Sequence, residues 1–233
     1  MNKTLEDQIG KLGMLLTFGY LCFQQIQSFL ILLGSREQIA LWPLALISQV
    51  SGVVFLCFIL YYTSIRLPPR ESAAGLMPRL AAIIGTFFMM LIVVLPPEPI
   101  SPALRIASTV VVIVGTCLSI YCLNQLGRSF SMMASARELK TTGSYGLVRH
   151  PLYASELILV AGVVLAHGTV LAVALGAIWL LLQVRRVHYE ESILRETFPE
   201  YEAYAQRVPM LFPGFRMPAV KATQARPETL PSE

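Results

Sequence analysis

The chain has 233 residues, of which 55% are hydrophobic and 14% charged, whereas ordinary soluble domains carry about 25% charged residues. That shortfall, with a mean hydropathy of +0.62, excludes a typical soluble domain and points to a chain solvated by lipid. The net charge of +4 is not read as a nucleic-acid footprint, because in a membrane protein the placement of basic residues is more informative than their sum.

In chain order, Met1 to Lys11 is mixed in charge, and no small-residue cleavage site accompanies the first apolar run. That run is therefore expected to be a retained span and not a signal peptide. A helix crosses a bilayer with about 20 apolar residues, and Leu12–Leu33, Leu41–Tyr62, Leu80–Leu95 and Ala103–Leu123 meet that requirement. A polar stretch, Asn124 to His150, comes next. Two shorter apolar runs follow, Leu152–Ala166 and Thr169–Val184, separated by His167-Gly168. They either span with the help of flanking residues or form a tight hairpin dipping into the bilayer. The expected fold is all-α and polytopic, with about six transmembrane helices, a short helical hairpin and a cytoplasmic C-terminal helix. No recurring ten-residue alternation suggests a barrel. Pro68-Pro69 and Pro96-Pro97 read as loop punctuation, since proline cannot continue a regular helix.

Six spans place both termini on one side, and all of the 18 basic residues except Arg36 and Arg105 then fall on that side. The positive-inside rule makes this side cytoplasmic; five or seven spans would scramble the segregation. Cys22, Cys57, Cys117 and Cys122 all lie in apolar stretches without a Cys-x-x-Cys spacing. Neither a disulfide framework nor a metal site is expected.

Polar side chains within spans need an explanation, because lipid does not solvate them. Gln24, Gln25 and Gln27 read as interhelical hydrogen-bonding groups. Glu156 lies one and a half turns into the fifth helix, close to the faces of Tyr153 and Arg149. Its carboxylate requires a polar cavity, a cation or a buried structural partner. Between the fourth and fifth runs, Arg137-Glu-Leu-Lys-Thr-Thr-Gly-Ser-Tyr-Gly-Leu-Val-Arg-His-Pro-Leu-Tyr153 is polar and ends on a proline suited to a helix first turn. His150 would sit at that helix N-terminus, where backbone N–H groups favour an anion; an ordinary connecting loop fits the same pattern. Further on, Arg186 and Glu190 lie one helical turn apart, as an ion pair or as site residues. Phe198, Tyr201 and Tyr204 have helix-like spacing, as an interfacial aromatic helix or as a cap over a site.

Taken in order, Gly143-x-Tyr145-x-x-x-Arg149-His150-Pro151-x-Tyr153, an apolar hairpin, Arg186-x-x-x-Glu190-Glu191 and Phe-x-x-Tyr-x-x-Tyr-x-x-Arg-Val-Pro resemble the isoprenylcysteine carboxyl methyltransferase family. The resemblance covers about Leu126 to Pro213. It implies a membrane-embedded methyltransferase that holds S-adenosylmethionine without a Rossmann domain. By motif position the cofactor would be held by Arg137, Glu138, Leu139, Lys140, Tyr145, His150, Pro151, Leu152, Tyr153 and Glu190. Arg186 matches the arginine that engages the acceptor carboxylate, as a catalytic and substrate-binding residue, and Glu156 is a second candidate for contact with the acceptor. Arg137 stands where histidine is usual, Lys140 where an apolar residue is usual, and Ser155 where glycine is common, so the acceptor stays open.

The resemblance divides the chain into N-terminal transmembrane helices (residues 1–125), a methyltransferase-like cofactor-binding region that includes the last two membrane helices (126–215) and a polar tail (216–233). The implied partners are the lipid bilayer and a lipophilic or small acceptor, with no nucleic acid and no metal. A carboxylate acceptor is already a nucleophile and needs no base. A thiol or amine needs one, for which Glu156, Glu191 and His188 are candidates. A membrane NADPH-dependent sterol-type reductase, which carries a similar Arg-His-Pro-x-Tyr element, and a non-enzymatic membrane protein are the competing readings.

Overall fold

The computed structural model describes residues 3–36, 41–73 and 75–214; the tail at 216–233 lies outside them. Among the described residues six apolar helices form the body: α1 (Lys3–Gly34), α2 (Trp42–Ile65), α3 (Leu76–Phe87), α4 (Pro102–Leu126), α5 (Pro151–His167) and α6 (Val170–Thr197). A short helix, α7 (Tyr201–Arg207), follows. α1, α2, α4 and α6 are long and apolar enough to cross a membrane; α3 with its extension and α5 are shorter apolar helices. The chain thus has the all-α polytopic membrane fold expected, but its short members are differently distributed. The run Leu80–Leu95 does not make one regular span: α3 passes into a 3-10 segment, Phe88–Val94, just ahead of Pro96-Pro97. The last apolar run is not short, because its helix continues through the charged residues to Thr197.

Local chemistry sets these boundaries. Ser101 accepts a hydrogen bond from the Leu104 amide at the start of α4, and Thr169 accepts one from Ala172 at the start of α6. Pro102 and Pro151 occupy first turns, where a missing N–H costs nothing. α5 stops at Gly168, whose φ of 67° is the left-handed conformation that glycine adopts without strain.

α5 packs far more extensively on α4 than on α6. The reason is the small residues on both helices. A Cβ on Gly115 would collide with the backbone of Leu159, and one on Gly162 with Val112. The two backbones therefore approach closely, as small residues permit between membrane helices. Ser119 and Ser155 hydrogen-bond across the same seam at 2.9 Å. α5 and α6 are consecutive, joined at Gly168-Thr169, and α6 packs on both α5 and α3. Elsewhere Gln25 donates to Gln49 between α1 and α2, the role expected of a mid-span glutamine, while Gln24 and Gln27 are exposed. Large apolar side chains such as Leu16, Ile31, Val173 and Leu181 are also exposed, on surfaces suited to lipid.

The polar segment between α4 and α5 folds back over one end of the bundle. A two-residue strand pair, Glu71–Ser72 with Ser135–Ala136, pins it to the α2–α3 connection. Gln125 accepts from both the amide and the hydroxyl of Ser144 and so holds the turn at Gly143. Asp7 Oδ1 receives Arg66 and Arg137, each at 2.8 Å, tying α1 to the same segment.

The chain after α6 closes this end. Glu191, 2% exposed, accepts from Arg149 Nη2 at 2.7 Å, Arg195 Nη2 at 3.0 Å and His150 Nε2 at 3.2 Å. Arg149 Nη1 also donates to the carbonyls of Ala205 and Val208, and the amides of Arg149 and His150 bond to the carbonyls of Pro209 and Met210. The N-terminus of α5 is therefore strapped to the segment after α7. Removing the carboxylate leaves the Arg149 side chain without its anion, a loss of about 3–5 kcal/mol for a broken buried pair, while Arg195 keeps Glu202 at 3.1 Å. Glu191→Gln should therefore lower the unfolding temperature in detergent and speed tryptic cleavage at Arg207. No change in either would show that the backbone bonds hold the strap alone.

Candidate active site

Two cavities meet beneath the strapped segment. The smaller, about 50 Å³, is lined by polar groups from the loop, from the end of α6 and from α7: among others Ser131, Ser135, Arg137, Glu138, Lys140, Tyr145, His150, Glu190, Tyr201 and Tyr204. The larger, about 250 Å³, reaches into the helices between Phe18, Phe55, Ile59, Met89, Leu123, Val160 and Trp179. Tyr145, His150 and Glu190 line both. They form the boundary between a polar chamber and an apolar one.

Of the ten residues expected to hold a cofactor, seven line the smaller cavity: Arg137, Glu138, Leu139, Lys140, Tyr145, His150 and Glu190. Leu152 and Tyr153 line the larger one. Pro151 is buried at the start of α5 and lines neither; its contribution is to the helix. Arg186 and Glu156 both line the larger cavity. Of the three candidate bases, Glu156 alone faces a cavity. His188 is engaged with the Val184 carbonyl, and Glu191 is held by Arg149, Arg195 and His150.

The polar side chains around the boundary form a connected series. The Tyr153 hydroxyl donates to Glu190 Oε2 at 2.8 Å. The Arg186 guanidinium lies 5.2 Å from the Tyr153 ring centre, a cation–π distance. Arg186 does not pair with Glu190 one turn away; it donates to Gln183 Oε1 at 2.8 Å and to the Met132 carbonyl at 3.2 Å. Gln183 Nε2 in turn donates to Glu156 Oε2 at 3.1 Å. One glutamine thus orients both the arginine and the deeper carboxylate. Gly85 on α3 makes room for this arrangement, since a Cβ there would lie 2.5 Å from Arg186 Cδ and 3.2 Å from Gln183 Oε1.

The polar chamber contains buried hydrogen-bonding atoms that have no partner within the protein. They are Ser131 Oγ, Ser135 Oγ, Arg137 Nε and Nη1, and the Tyr201 hydroxyl. Each such group costs about 1–3 kcal/mol when buried and unsatisfied, so their convergence on one cavity marks a place for a polar, partly anionic group. Burial raises the Tyr145 and Tyr201 hydroxyls well above the usual range and brings Tyr204 up to about 12, so all three stay neutral at physiological pH. Tyr204 donates to the Tyr145 carbonyl, an anchor for the wall. At the rim, the hydrogen bond from Lys140, 2.9 Å away, holds the Glu138 carboxyl below its ordinary value.

Gly85, Gln183, Gln125, Ser131, Ser135 and Asp7 carried no sequence signal toward a site. Gln183 sits one helical turn before Arg186 in an otherwise apolar run, and that is the one mark that could have singled it out. Asp7 reaches Arg137 across 130 positions, a separation that no local pattern encodes.

Comparison with known proteins places this region. Residues 104–201 match the family model described as Phospholipid methyltransferase. The nickel-cobalt-cadmium resistance protein NccN of Alcaligenes xylosoxydans xylosoxydans is 35% identical over 77 residues, which are 33% of this chain and 36% of that protein. Protein-S-isoprenylcysteine O-methyltransferase B of Arabidopsis thaliana is 33% identical over 105 residues, 42% of this chain and 53% of that one. The chain thus spans about a third to a half of the length of these relatives. The solved structure of the eukaryotic intramembrane Ras methyltransferase ICMT aligns at 16% identity with a TM-score of 0.44, covering 91% of this chain and 98% of that one. The family resemblance read from the Arg149-His150-Pro151 and Glu190-Glu191 motifs agrees with these matches: residues 104–201 are similar to the Phospholipid methyltransferase model, and part of the chain is similar to protein-S-isoprenylcysteine O-methyltransferases.

Proposed function

We propose that the protein is an S-adenosylmethionine-dependent membrane methyltransferase acting on a lipophilic or small acceptor that carries a carboxylate. The observation that carries this reading is the junction of the two cavities at Tyr145, His150 and Glu190. A charged, water-soluble donor and an apolar acceptor need separate chambers that touch at one point, and methyl transfer needs that contact. The segregation of basic residues supports an arrangement in which the polar chamber and both termini face the cytoplasm, where such a donor is found.

The polar groups of this chamber suit the charged and hydroxyl groups of this cofactor, whose bulk exceeds the chamber's volume of about 50 Å³. Arg137 has two unpartnered N–H groups suited to a carboxylate, and the Ser131, Ser135 and Tyr201 hydroxyls suit further polar atoms. Glu190, the carboxylate shared by both chambers, sits where it would neutralise positive charge, and Tyr153 fixes its orientation. The bound cofactor supplies the electrophilic methyl group. Arg186 then positions the acceptor carboxylate from the apolar side, with its guanidinium held by Gln183 and the Met132 carbonyl. Orientation of two reactants contributes most of what such a displacement requires, and no proton needs to move when the nucleophile is already anionic. For a thiol or amine, Glu156 is the cavity-facing base.

Binding to the detergent-purified full chain tests the cofactor directly. S-adenosylmethionine should give a saturable calorimetric signal and NADPH none; binding of NADPH alone would remove the reading. Glu190→Ala should weaken S-adenosylmethionine binding by about tenfold to a hundredfold, the loss expected for a charge-assisted contact of about 1.5–3 kcal/mol. Arg186→Ala should leave that affinity within about threefold while lowering turnover of a carboxylate acceptor by a comparable tenfold to hundredfold. Gly85→Ala should behave as a milder Arg186 variant, because it displaces the guanidinium without removing it. Equal effects of Glu190→Ala and Arg186→Ala on both quantities would contradict the division of roles.

A further inference from the structure

In the membrane-crossing helices the side-chain amides are paired, with two exceptions. Gln25 donates to Gln49, Asn124 accepts from Tyr62, Gln125 accepts from Ser144, and Gln183 bonds to both Glu156 and Arg186. Gln24 and Gln27, midway along α1, are exposed. Among the described residues their side chains have no hydrogen bond, and the nearby Ser28 hydroxyl reaches only the Gln24 main-chain carbonyl. Hydrocarbon offers an amide no partner, so leaving two of them to lipid is unfavourable.

The placement of these amides is ordered. Gly13, Thr17, Tyr20, Gln24 and Gln27 recur at alternating steps of four and three, which puts them on one stripe of α1. All five are exposed. The opposite face carries Met14, Phe18 and Cys22, which are buried, and α1 packs on α2. A Cβ on Gly13 would meet open space, so no packing among the described residues requires a glycine there. Between membrane helices, small residues permit close approach and glutamines hydrogen-bond across the contact.

We propose that this stripe of α1 is the interface of a homodimer, paired with α1 of a second copy. An amide is both donor and acceptor, so a glutamine is complementary to another glutamine. Copies of one chain enter the bilayer in the same orientation, so the two helices run parallel. A two-fold axis between them sets each residue beside its counterpart, and Gln24 and Gln27 each meet the same residue of the other copy. The alternation of four and three is the spacing of a left-handed helix pair crossing at about 20°. A helix of another protein would need polar groups at that same spacing; a second copy has them. Pairing steadies the helix whose other face gives Phe18 to the apolar chamber and Asp7 to Arg137.

Cysteine crosslinking in membranes of cells that express the full chain tests this, with the exposed Cys57 and Cys117 replaced by alanine. In that background Gln24→Cys should give a disulfide-linked dimer on oxidation with copper phenanthroline. Leu181→Cys, at a position on α6 that is 67% exposed, should not. In liposomes, energy transfer between fluorescently labelled copies should report association that the double variant Gln24→Leu/Gln27→Leu weakens about tenfold, the order expected for polar pairs between membrane helices. Leucine suits a lipid-facing position, so the double variant keeps its fold. Equal crosslinking from Gln24→Cys and Leu181→Cys overturns the proposal, as does unchanged association of the double variant. Crosslinks from position 24 to other proteins alone overturn the assignment to a second copy. None of these measurements needs a methyl donor or acceptor.

Discussion

The polar end of the molecule depends on one buried carboxylate. Taking Glu191 out of water carries a penalty of several kcal/mol, and three groups offset it: Arg149, Arg195 and His150. They come from two parts of the structure that must be held together. Arg149 and His150 begin α5, Arg195 lies on α6, and the remaining N–H groups of Arg149 reach the carbonyls of α7 and the strap beyond it. A guanidinium suits this position because its planar fork satisfies a carboxylate and two carbonyls at once; a lysine would offer no such geometry. The loop, the last membrane helix and the C-terminal segment therefore close over the cavities as one unit.

That closure produces two environments that share a wall. On one side lie hydroxyls and guanidinium N–H groups; on the other lie phenylalanine, leucine and tryptophan side chains. The boundary carries alternating charge, with Glu190 on Tyr153, Tyr153 under Arg186, and Arg186 joined through Gln183 to Glu156. In an apolar surrounding these contacts are stronger than in water, so the series is stiff without being extensive. The helix packing makes space for it. Gly115 and Gly162 bring α4 and α5 together, α6 packs on α3 as well as on α5, and Gly85 is where α3 yields to the arginine.

Much of this was legible in the sequence, and the parts that were not share a cause. Hydropathy located the apolar helices because lipid imposes a length and a composition on each segment by itself. The motif residues Tyr145, His150, Tyr153, Arg186 and Glu190 were found because they stand close together in the chain or at one-turn spacing. Misplaced expectations concerned relations between segments. The short runs of α5 and α6 were read as spans completed by flanking residues or as a tight hairpin, and neither reading shows that backbone approach at two glycines packs α5 chiefly on α4. Glu190 and Glu191 differ by one position, and a 100° turn of the helix sends one to the cavities and the other to the latch. At His150, read either as an anion-favouring helix N-terminus or as an ordinary connecting loop, the amide is taken by the Met210 carbonyl.

The N-terminal helix shows why the matched segment is not the whole of the site. Arg137 lines the polar chamber, but its side chain is held from outside residues 104–201 by Asp7 on α1. Without that carboxylate, Arg137 and Arg66 would be two buried cations facing each other with no anion between them, and repulsion in a poorly screened site would drive one of them out. Asp7 thus sets the position of the two N–H groups that Arg137 leaves unpartnered. A single residue near the start of the chain therefore shapes the polar chamber from 130 positions away.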